Sequence, residues 1–535
     1  MASIALVRPP QVMPIDALGI SQGTPSIGLA YLNGSLNKAN HDVTLVDALG
    51  EGLNSFHQYK NSKLLVNGLT AEEIPKKISQ PIDVIAISCM FSNEWGYTKF
   101  VIQSLAKEFP NVPIIAGGEH ITADPEFSLR TAPEIDVCVK GEGEKTIIEV
   151  IDAILNGSSF HDIFGVAFMD DGKYIDTGLS PRIGEIDNIP WPSWDGYPLE
   201  NYLSRGFGFN QVRGRPMPVM ATRGCPFRCT FCSSPQMWTT KWNAREPSDV
   251  IEEIKYYIDK FNIDHVEFYD LTAIIQKEWT IKFTELMIKN NINISWTLPS
   301  GTRSEALDGE TLKAMQKAGC TRLTYAPESG SIATLKRIKK KVKPDRMVDS
   351  IRCAEKEGIF VKSNFIFGFP GQTLYECWET YKFLFKLAWA GMHDVALFSF
   401  LPYPGSELYV QLQNEGKIPK DPVEFDTFLT KNVLGDFSMI SWSDDLSSRQ
   451  IKYLIIGAFF WFYCWSFLFR PQRLITTIWR FIRSRPVTTL DILIDGVKRN
   501  FIKGRKTRNI NKIKETFITN RIHPLRSPEI RESQK

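Results

Sequence analysis

Three cysteines lie close together in the chain, at Cys225, Cys229 and Cys232. Thiolates are the soft ligands that iron–sulfur clusters require, and these short spacings bring all three onto one loop. A cubane cluster has four irons, and no fourth cysteine lies near this segment of the sequence. One iron is therefore left open to a non-protein ligand, which is what chemistry at a cluster requires.

Two other interpretations of this segment stay open: a structural zinc site, or three incidental cysteines. Structural zinc normally closes four positions, often with paired Cys-x-x-Cys units or histidine, and the sequence offers no second pair or histidine nearby. The remaining cysteines are scattered singly, which favours small buried side chains in a reducing compartment over a disulfide framework. They are Cys89, Cys138, Cys320, Cys353, Cys377 and Cys464.

The Cys-x-x-x-Cys-x-x-Cys motif follows a predicted strand over 219–222 and resembles the signature of the radical S-adenosylmethionine (SAM) superfamily. In that family the open iron binds the amino and carboxylate groups of SAM. An electron from the cluster then cleaves SAM to a 5′-deoxyadenosyl radical, which takes hydrogen from the substrate. The resemblance extends over about 219–409 and implies a low-potential electron donor such as flavodoxin or ferredoxin.

The same resemblance implies SAM contacts from residues at the ends of later strands. They are Phe231, Asp270, Arg303, Glu328 and Gly368. Taken singly, Asp270 and Glu328 are equally consistent with solvated carboxylates at strand ends. Their order and spacing along the chain support the resemblance.

A second set of candidates lies in glycine-rich loops that follow predicted strands near the amino terminus. Glycine lets the backbone approach a large ligand closely, and ligands of parallel sheets lie beyond the carboxyl ends of the strands. The segments 25–32, 117–122 and 141–146 resemble the cobalamin-binding domain found before many radical SAM cores. The resemblance implies cobalamin contacts from Ser88, Gly117, Gly118, His120, Gly141, Glu142 and Gly143. An ordinary α/β domain with tight turns stays open, as does His120 as a turn residue bonded to backbone.

One departure from the wider cobalamin-binding fold concerns the cobalt ligand. The Asp-x-His-x-x-Gly motif is absent, and the first loop, 14–19, contains no histidine. The resemblance then implies cobalamin bound base-off, or a domain that binds no corrin.

The elements that must position these residues fall into two alternating series of strands and helices. Continuous apolar strands separated by helices predict a parallel, doubly wound, Rossmann-like sheet over 1–160. Its predicted strands are 4–7, 42–47, 84–90, 114–116 and 137–139, and its predicted helices are 25–39, 71–78, 96–108 and 144–155. A proline-rich connector follows over 161–216.

The second series spans 217–410 and predicts a partial β/α barrel, because six β/α units are fewer than the eight of a closed barrel. Its predicted strands are 219–222, 265–269, 294–298, 322–326, 362–367 and 394–400. Its predicted helices are 247–261, 277–289, 309–318, 344–357 and 374–388. The fold class is therefore α/β, with a helical segment at the carboxyl end.

That last segment, 411–535, contains an apolar and aromatic run over 453–469, followed by a second over 474–482. From Arg470 onward the sequence has seventeen Lys or Arg against five Asp or Glu. Three interpretations stay open: a helix buried against the barrel, an interfacial helix that meets lipid or a lipid-like substrate, and a transmembrane helix. The positive charge favours anionic headgroups.

Composition narrows the class of protein further. The 535 residues carry a formal net charge of +3, which gives no global attraction for nucleic acid, so no nucleic-acid partner is expected. The first residues read as a β-strand and not as a secretory signal, which predicts a cytoplasmic protein, peripheral at the inner face of the membrane if 453–482 touches lipid.

Together these features predict a cobalamin-dependent radical SAM enzyme that methylates an unactivated carbon of a large apolar substrate, such as a lipid or polyketide. Relatives of this type include hopanoid methylases, tetraether-lipid ring synthases and the anaerobic magnesium-protoporphyrin ester cyclase. The alternatives are a ring-forming or oxidative cyclase without methyl transfer, and a non-catalytic corrin-binding or iron–sulfur sensor. A carrier would normally close its cluster with four ligands, which argues against the sensor.

Overall fold

A computed structural model describes most of the chain. The described residues are 1–14, 23–59, 64–209, 214–272, 275–303, 307–421, 424–425, 428–429, 440–483 and 486–503. The loop 14–19, where the cobalt-ligating motif would stand, falls almost wholly outside them.

The first sheet is built mainly from parallel strands, as the sequence predicts. Its strands are β1 (Ser3–Arg8), β3 (Asp42–Asp47), β6 (Val84–Ser88), β7 (Ile114–Gly117), β8 (Val137–Val139), β9 (Val166–Asp170) and β10 (Lys173–Asp176). They lie in the order β10-β9-β8-β7-β6-β1-β3, and the strands from β8 to β3 are parallel. Alternate residues of β1 enter two different hydrophobic clusters, so both faces of the sheet are buried.

Helices cover both faces of this sheet. They are α1 (Ile27–Lys38), α2 (Ala48–Glu51), α3 (Trp95–Glu108), α4 (Glu119–Ala123), α5 (Pro125–Thr131) and α6 (Gly143–Asn156). The helix predicted over 71–78 is wrong: only a 3₁₀ turn forms, at Pro75–Lys77. Pro75 has no backbone N–H to continue an α-helical pattern from residue 71, which explains the difference.

The connector is more structured than its composition predicts. Strands β9 and β10 form an antiparallel hairpin that extends the first sheet beyond β8, so residues 166–176 belong to that sheet. The rest contains α7 (Leu199–Leu203) and is fixed on both sides. Asn33 Nδ2 of α1 donates to Ser193 O at 3.1 Å. Trp194 Nε1 donates to Tyr257 OH of the following domain at 3.1 Å.

A small antiparallel sheet that the sequence did not predict lies beside the first. It consists of β2 (Gln11–Pro14), β4 (Phe56–Gln58) and β5 (Leu64–Asn67), in the order β2-β5-β4. Asn67 anchors it, because the buried amide Nδ2 donates to the carbonyls of Gly52, Leu53 and Ser55.

The second large sheet has six parallel strands, which confirms a partial β/α barrel. They are β11 (Pro216–Val219), β14 (His265–Phe268), β15 (Ser295–Thr302), β16 (Cys320–Glu328), β17 (Phe360–Phe367) and β18 (Asp394–Ser399), in that order across the sheet. A separate ribbon pairs β12 (Thr222–Arg223) with β13 (Asn243–Ala244). The first barrel strand thus ends at Val219, earlier than predicted, because the N–H groups of Ala221 and Thr222 bond to the Asp270 carboxylate instead of a neighbouring strand.

The helices of this region surround the sheet. They are α8 (Ser234–Trp238), α9 (Pro247–Phe261), α10 (Lys277–Lys289), α11 (Gly309–Lys317), α12 (Ile332–Arg337), α13 (Pro344–Lys356), α14 (Leu374–Ala390) and α15 (Glu407–Asn414). The predicted bounds of the five long helices agree to within two residues at each end.

Three helices form the described part of the carboxyl-terminal region: α16 (Ser448–Phe469), α17 (Pro471–Ile482) and α18 (Thr489–Lys503). One face of α16 packs on the barrel, where Trp461 Nε1 donates to Tyr381 O of α14 at 3.0 Å. Its other face is open, with Leu468 65% exposed. In the part of the chain that the structure describes, α16 is the one helix that is long and apolar enough to cross a membrane, by length and composition alone. Of its 18-residue apolar stretch, 28% is buried inside the protein.

Candidate functional site

The cysteine segment is a loop that leaves β12 at the carboxyl end of the barrel sheet. Cys225, Cys229 and Cys232 are each partly exposed, and none forms a disulfide. Cys232 N donates to Cys229 O at 3.1 Å, and Thr230 N donates to Ile338 O at 3.1 Å, which fixes the middle of the loop. Burial, with smaller contributions from Glu119, Cys229 and Cys225, raises the pKa of Cys232 to about 12.

Three thiols that influence one another on one loop are a donor set that fits an iron–sulfur cluster. In their described positions, no three His, Cys, Asp or Glu side chains already converge as a metal cage. A cavity of about 480 Å³ opens beside two of the thiols. Its lining includes Cys229, Cys232, Gln236, Ser406 and Glu407.

Asp270 holds the base of the cysteine loop. Its carboxylate accepts hydrogen bonds from Ala221 N at 3.2 Å, from Thr222 N, and from Thr222 Oγ1 at 2.6 Å. Burial raises the pKa of Asp270 to about 6. The side chain therefore lies at the expected strand end, but its oxygens position the chain that leads into Cys225.

Glu328 lies beside the cysteine loop and forms a buried ion pair that the sequence did not indicate. Lys340 Nζ is 2.9 Å from Glu328 Oε1; the Glu328 side chain is buried and that of Lys340 is 13% exposed. Lys340 also lies 5.8 Å from the ring centroid of Phe231 and is close enough to Cys229 to lower the pKa of that thiol against the effect of burial. Lys340 stands in a run of three lysines, 339–341, which hides its low exposure from sequence reasoning.

Arg303 and Gly368 complete the set of predicted SAM contacts. The guanidinium of Arg303 lies 3.9 Å from the ring centroid of Phe227, inside the cysteine loop, and bonds to Lys341 O. Gly368 directly follows β17 with φ +85°, and a side chain there would collide with Ile451 of α16. Gly368 is thus required by backbone conformation and by packing of the last helices, in addition to any ligand.

The amino-terminal loops meet one another at the carboxyl ends of β6 and β7. Ser88 and Gly117 are the last residues of those strands, and Cys89 N donates to Gly117 O at 2.7 Å. Gly118 has φ +110° and lies against the Cys89 carbonyl, where a side chain would not fit. Glycine here lets two strand-end loops come close together.

His120 points into the interior of the first domain. Its Nδ1 lies 3.0 Å from Ser92 Oγ, and its ring packs 4.8 Å from that of Trp95, centroid to centroid. Nε2 is buried without a hydrogen-bond partner in the described part of the structure. Burial, with a contribution from Lys99, lowers the pKa of His120 to about 3, so the imidazole is neutral at physiological pH.

Glu142 was expected to contact cobalamin, but its carboxylate is fully buried and bonded to other residues of the protein. It accepts hydrogen bonds from Arg182 Nε at 2.9 Å, Ile183 N at 2.7 Å and Arg223 Nη1 at 3.3 Å. Arg223 also pairs with Glu144 at 2.5 Å. Glu142 therefore joins the loop after β8 to the residue two positions before Cys225.

Gly141 and Gly143 flank this ion-pair network. Gly141 has φ +77°, its N–H donates a hydrogen bond to Thr122 Oγ1 at 3.1 Å, and it faces the Met237 carbonyl of α8. Gly143 begins α6 and packs near Leu32. Further along the interface, Ser233 donates to the Glu119 carboxylate of α4. The glycine loops of the first domain thus face the cysteine loop and the helix that follows it.

Comparison with known proteins supports both halves of this interface. The model of the radical SAM superfamily matches residues 219–384, and that of the B12-binding domain matches residues 20–151. An uncharacterized methyltransferase of Pyrococcus horikoshii is 33% identical over 409 residues, which cover 76% of this chain and 82% of that protein. The cytidylyl-2-hydroxyethylphosphonate methyltransferase of Streptomyces wedmorensis is 28% identical, covering 75% of this chain and 80% of its own.

The anaerobic magnesium-protoporphyrin IX monomethyl ester cyclase of Cereibacter sphaeroides is 26% identical, covering 75% of this chain and 62% of its own. Two solved structures share the fold. The methyltransferase TsrM of Kitasatospora setae, with cobalamin and a [4Fe-4S] cluster bound, superposes with a TM-score of 0.59 at 15% identity, covering 78% of each chain. The enzyme OxsB, with aqua-cobalamin and S-adenosylmethionine bound, gives 0.59 at 18% identity, covering 85% of this chain and 60% of its own.

Proposed function

This chain belongs to the radical SAM enzymes that carry a B12-binding domain and depend on cobalamin, and from that premise we propose that it transfers a methyl group to an unactivated carbon of its substrate. The observation that carries the proposal is the contact of Glu142 with Arg223, which joins a cobalamin-domain loop to the cysteine loop. Two relatives named as methyltransferases match this chain over 82% and 80% of their own lengths. Methyl transfer needs both cofactors at one interface.

When bound, the 4Fe–4S cluster, SAM and cobalamin supply one-electron cleavage of SAM and carriage of the methyl group, while the protein positions them and keeps water out. Cys225, Cys229 and Cys232 would hold the cluster. Phe231, Arg303, Glu328 and Gly368 would surround SAM. Lys340 would keep Glu328 charged, and Asp270 would hold the loop at its base.

The residues that would surround the corrin are those of the strand-end loops. We propose that Ser88, Gly117, Gly118, Gly141 and Gly143 approach it through backbone, with cobalamin bound base-off. His120 would support the loop from beneath and not ligate cobalt, since its Nδ1 already bonds to Ser92 Oγ. Glu142 would stabilise the interface between the two domains and would not contact the corrin.

We propose a large, partly apolar substrate of the lipid or polyketide class, and contact of residues 453–482 with the inner face of the membrane. The support is the open face of α17, where Ile475 is 69% and Ile482 is 70% exposed beside arginine side chains. Aromatic and aliphatic side chains flanked by basic residues suit an interface with anionic headgroups. A flavodoxin or ferredoxin would supply the electron, in the cytoplasm.

A second candidate function is ring formation or oxidation at the same carbon without methyl transfer. It is favoured by the likeness to the magnesium-protoporphyrin ester cyclase over 75% of this chain. The two candidates need the same cluster and the same SAM site, so products must separate them.

The test is product analysis of anaerobically reconstituted protein reduced with dithionite. We expect release of 5′-deoxyadenosine, and S-adenosylhomocysteine in addition if a methyl group is transferred. Replacement of all three cluster cysteines by alanine should abolish both products, while Cys464→Ala, at an exposed position of α16, should change neither. Protein that binds zinc in place of iron, or a cluster whose spectrum ignores added SAM, would contradict the proposal.

Substrate identification requires a second measurement. Lipid and pigment extracts of cells with and without the protein should differ by one methyl group if it is a methyltransferase, and by two hydrogens if it is an oxidative cyclase.

A further inference from the structure

The inner wall of the partial barrel is polar, although its strands are otherwise buried. Along β17, alternate residues such as Phe365 and Phe367 are fully buried against α14, with their rings 6.2 and 6.5 Å from those of Phe383 and Tyr381. The residues between them point to the opposite side of the sheet and remain partly exposed. Those inward residues are Phe360, Lys362, Asn364 and Ile366. A central strand with partly exposed inward side chains indicates an open lumen.

The strand register brings charged side chains together at one level of this lumen. Glu267 pairs with Thr297, Thr297 with Arg322, and Arg322 with Phe360 across four neighbouring strands. Lys362 lies one step higher on β17, two residues after Phe360, and pairs with Asp394 of β18. Arg322 and Lys362 are thus diagonal neighbours on adjacent strands, within reach of one ligand.

The carboxylates near these two cations are occupied by other partners. Asp394 accepts hydrogen bonds from Tyr463 OH at 2.6 Å and from Thr489 Oγ1 at 3.0 Å, both in the carboxyl-terminal helices, while Lys362 Nζ remains 3.8 Å away. Glu267 accepts a hydrogen bond from Phe209 N at 2.7 Å. Asp394 thus forms a long ion pair with Lys362 at 3.8 Å, while its shorter hydrogen bonds go to the carboxyl-terminal helices.

The guanidinium of Arg322 makes no hydrogen bond or ion pair with any described residue. Its guanidinium lies 4.2 Å from the ring centroid of Phe360, a cation–π contact. Burial lowers the pKa of Arg322, and the positive charge of Arg480 lowers it further, against the opposing effects of Asp394 and Glu267. Arg322 is half-buried, and holding a guanidinium partly out of water without an ion-pair partner is unfavourable, so its position favours an anionic ligand.

Asn364 adds an independent sign of a missing partner. Its Oδ1 is buried and has no hydrogen-bond donor in the described ranges. Asn364 follows Lys362 by two residues on the same inward face, and Ile366 and Gly368 lie above it toward the carboxyl end of β17. Buried amide oxygens are normally satisfied, so a donor on a ligand is expected here.

We propose that the lumen binds an anionic group of the substrate, a carboxylate or a phosphate, through Arg322 and Lys362, while Asn364 accepts a hydrogen bond from a hydroxyl or amine of the same molecule. The inference rests on the proposed function, because it places a substrate in the barrel below the SAM site. Strand β17 ends at Phe367, five residues after Lys362, so the anionic group lies about 16 Å below the strand end. The reacting carbon is then separated from the anionic group by several bonds.

The test measures binding of small anions to the reconstituted full-length protein. Inorganic phosphate followed by ³¹P line broadening and acetate followed by ¹³C line broadening form the two arms, and they distinguish a phosphorylated substrate from a carboxylic acid. We expect the double variant Arg322→Gln/Lys362→Gln to bind the preferred anion at least about tenfold more weakly, because two charge-assisted contacts are lost. The matched control is Arg352→Gln/Lys356→Gln, at exposed positions on the outer surface of α13.

Two further variants separate recognition from a loss of structure. Arg322→Lys keeps the charge and should retain part of the binding, whereas Asn364→Asp adds a negative charge beside the site and should weaken it. The inference is overturned if neither anion binds to the unaltered protein, or if the lumen variant and the surface variant lose binding equally. Release of 5′-deoxyadenosine without substrate is measured in parallel: its loss in the unaltered protein would count against the proposed function and not against the anion site.

Discussion

Lys340 Nζ lies 2.9 Å from Glu328 Oε1, and this buried ion pair stands directly beside the Cys229 end of the cluster loop. Burial alone raises the pKa of Glu328, and the ammonium of Lys340 opposes that shift. The lysine therefore favours the charged form of Glu328, the carboxylate that we propose lies beside SAM.

Lys340→Met should leave Glu328 buried without its counter-ion. We expect the free energy of unfolding to fall by about 3–5 kcal/mol, and the cluster's electron paramagnetic resonance spectrum to respond less to added SAM. Lys282 pairs with Glu246 on the surface, away from the cysteine loop, so Lys282→Met should cost below about 1 kcal/mol and leave the SAM response unchanged. Equal effects of the two substitutions would contradict a special role for the buried pair.

Arg223→Met should loosen the interface between the two domains, because Glu142 and Glu144 would both lose a buried partner. The expected cost is about 3–5 kcal/mol, together with a lower content of co-purified cobalamin measured by absorbance. Arg130→Met, which removes an exposed pair with Glu126 within α5, is the matched control. Unchanged cobalamin content in Arg223→Met would show that the ion pairs do not hold the interface.

His120 should make the protein less stable in acid. Its folded pKa of about 3 lies below its ordinary value of 6.5, so the unfolded chain binds a proton first and stability falls as pH decreases through 6.5 toward 3. At pH 5 this one histidine should cost about 2 kcal/mol relative to pH 7. Denaturant unfolding of His120→Gln at both pH values should show a smaller difference between them, by about that amount; an identical pH difference would refute the assignment.

Gly457→Ala should disturb the packing of α16 against α14. A methyl group there would lie 2.6 Å from Tyr381 OH, which donates to Leu454 O at 2.7 Å. We expect a loss of about 1–3 kcal/mol in thermal unfolding. Gly28→Ala in α1 meets nothing within 4 Å and should be neutral or stabilising. If Gly457→Ala is also neutral, α16 does not pack on the barrel in solution.

The open face of α17 should bind vesicles that contain anionic lipid. We expect the triple variant Ile475→Ser/Ile478→Ser/Ile482→Ser to co-sediment with phosphatidylglycerol-containing vesicles at least about tenfold less, since three apolar side chains no longer enter the interface. Exposed apolar residues elsewhere, substituted together as Phe164→Ser/Ile288→Ser/Ile332→Ser, provide the control. Equal binding of both variants would assign the vesicle contact to another surface.

Much of this fold is visible in the sequence because its strands and long helices have strong local patterns. The strand at 42–47 and the helix at 247–261 were predicted at their observed bounds, since apolar periodicity and proline or polar boundaries mark both. The hairpin β9–β10 was missed, because its second strand is only half apolar and is stabilised by pairing with a neighbour instead of by its own pattern.

The parts of the site that depend on spacing along the chain could be predicted from the sequence. The ion pairs between residues that are distant in the sequence could not. The cluster cysteines are eight residues end to end, so one loop carries them all. Lys340 and Arg322 look like surface residues in sequence, and only the strand register and their burial show that they point toward the cluster or the lumen. Glu142 was expected to contact cobalamin because it lies in a glycine-rich loop after a strand. Its observed partners, Arg182 and Arg223, come from two distant segments of the chain.

The anchored connector has a mechanical consequence. Asn33 holds its backbone on one side and Trp194 bonds to Tyr257 on the other, so the span between the two catalytic halves is fixed by residues that need not touch any cofactor. The relative position of the two domains is thus set in part by the connector. Splitting the chain within the connector, to express the two domains separately, would remove this constraint on their relative position.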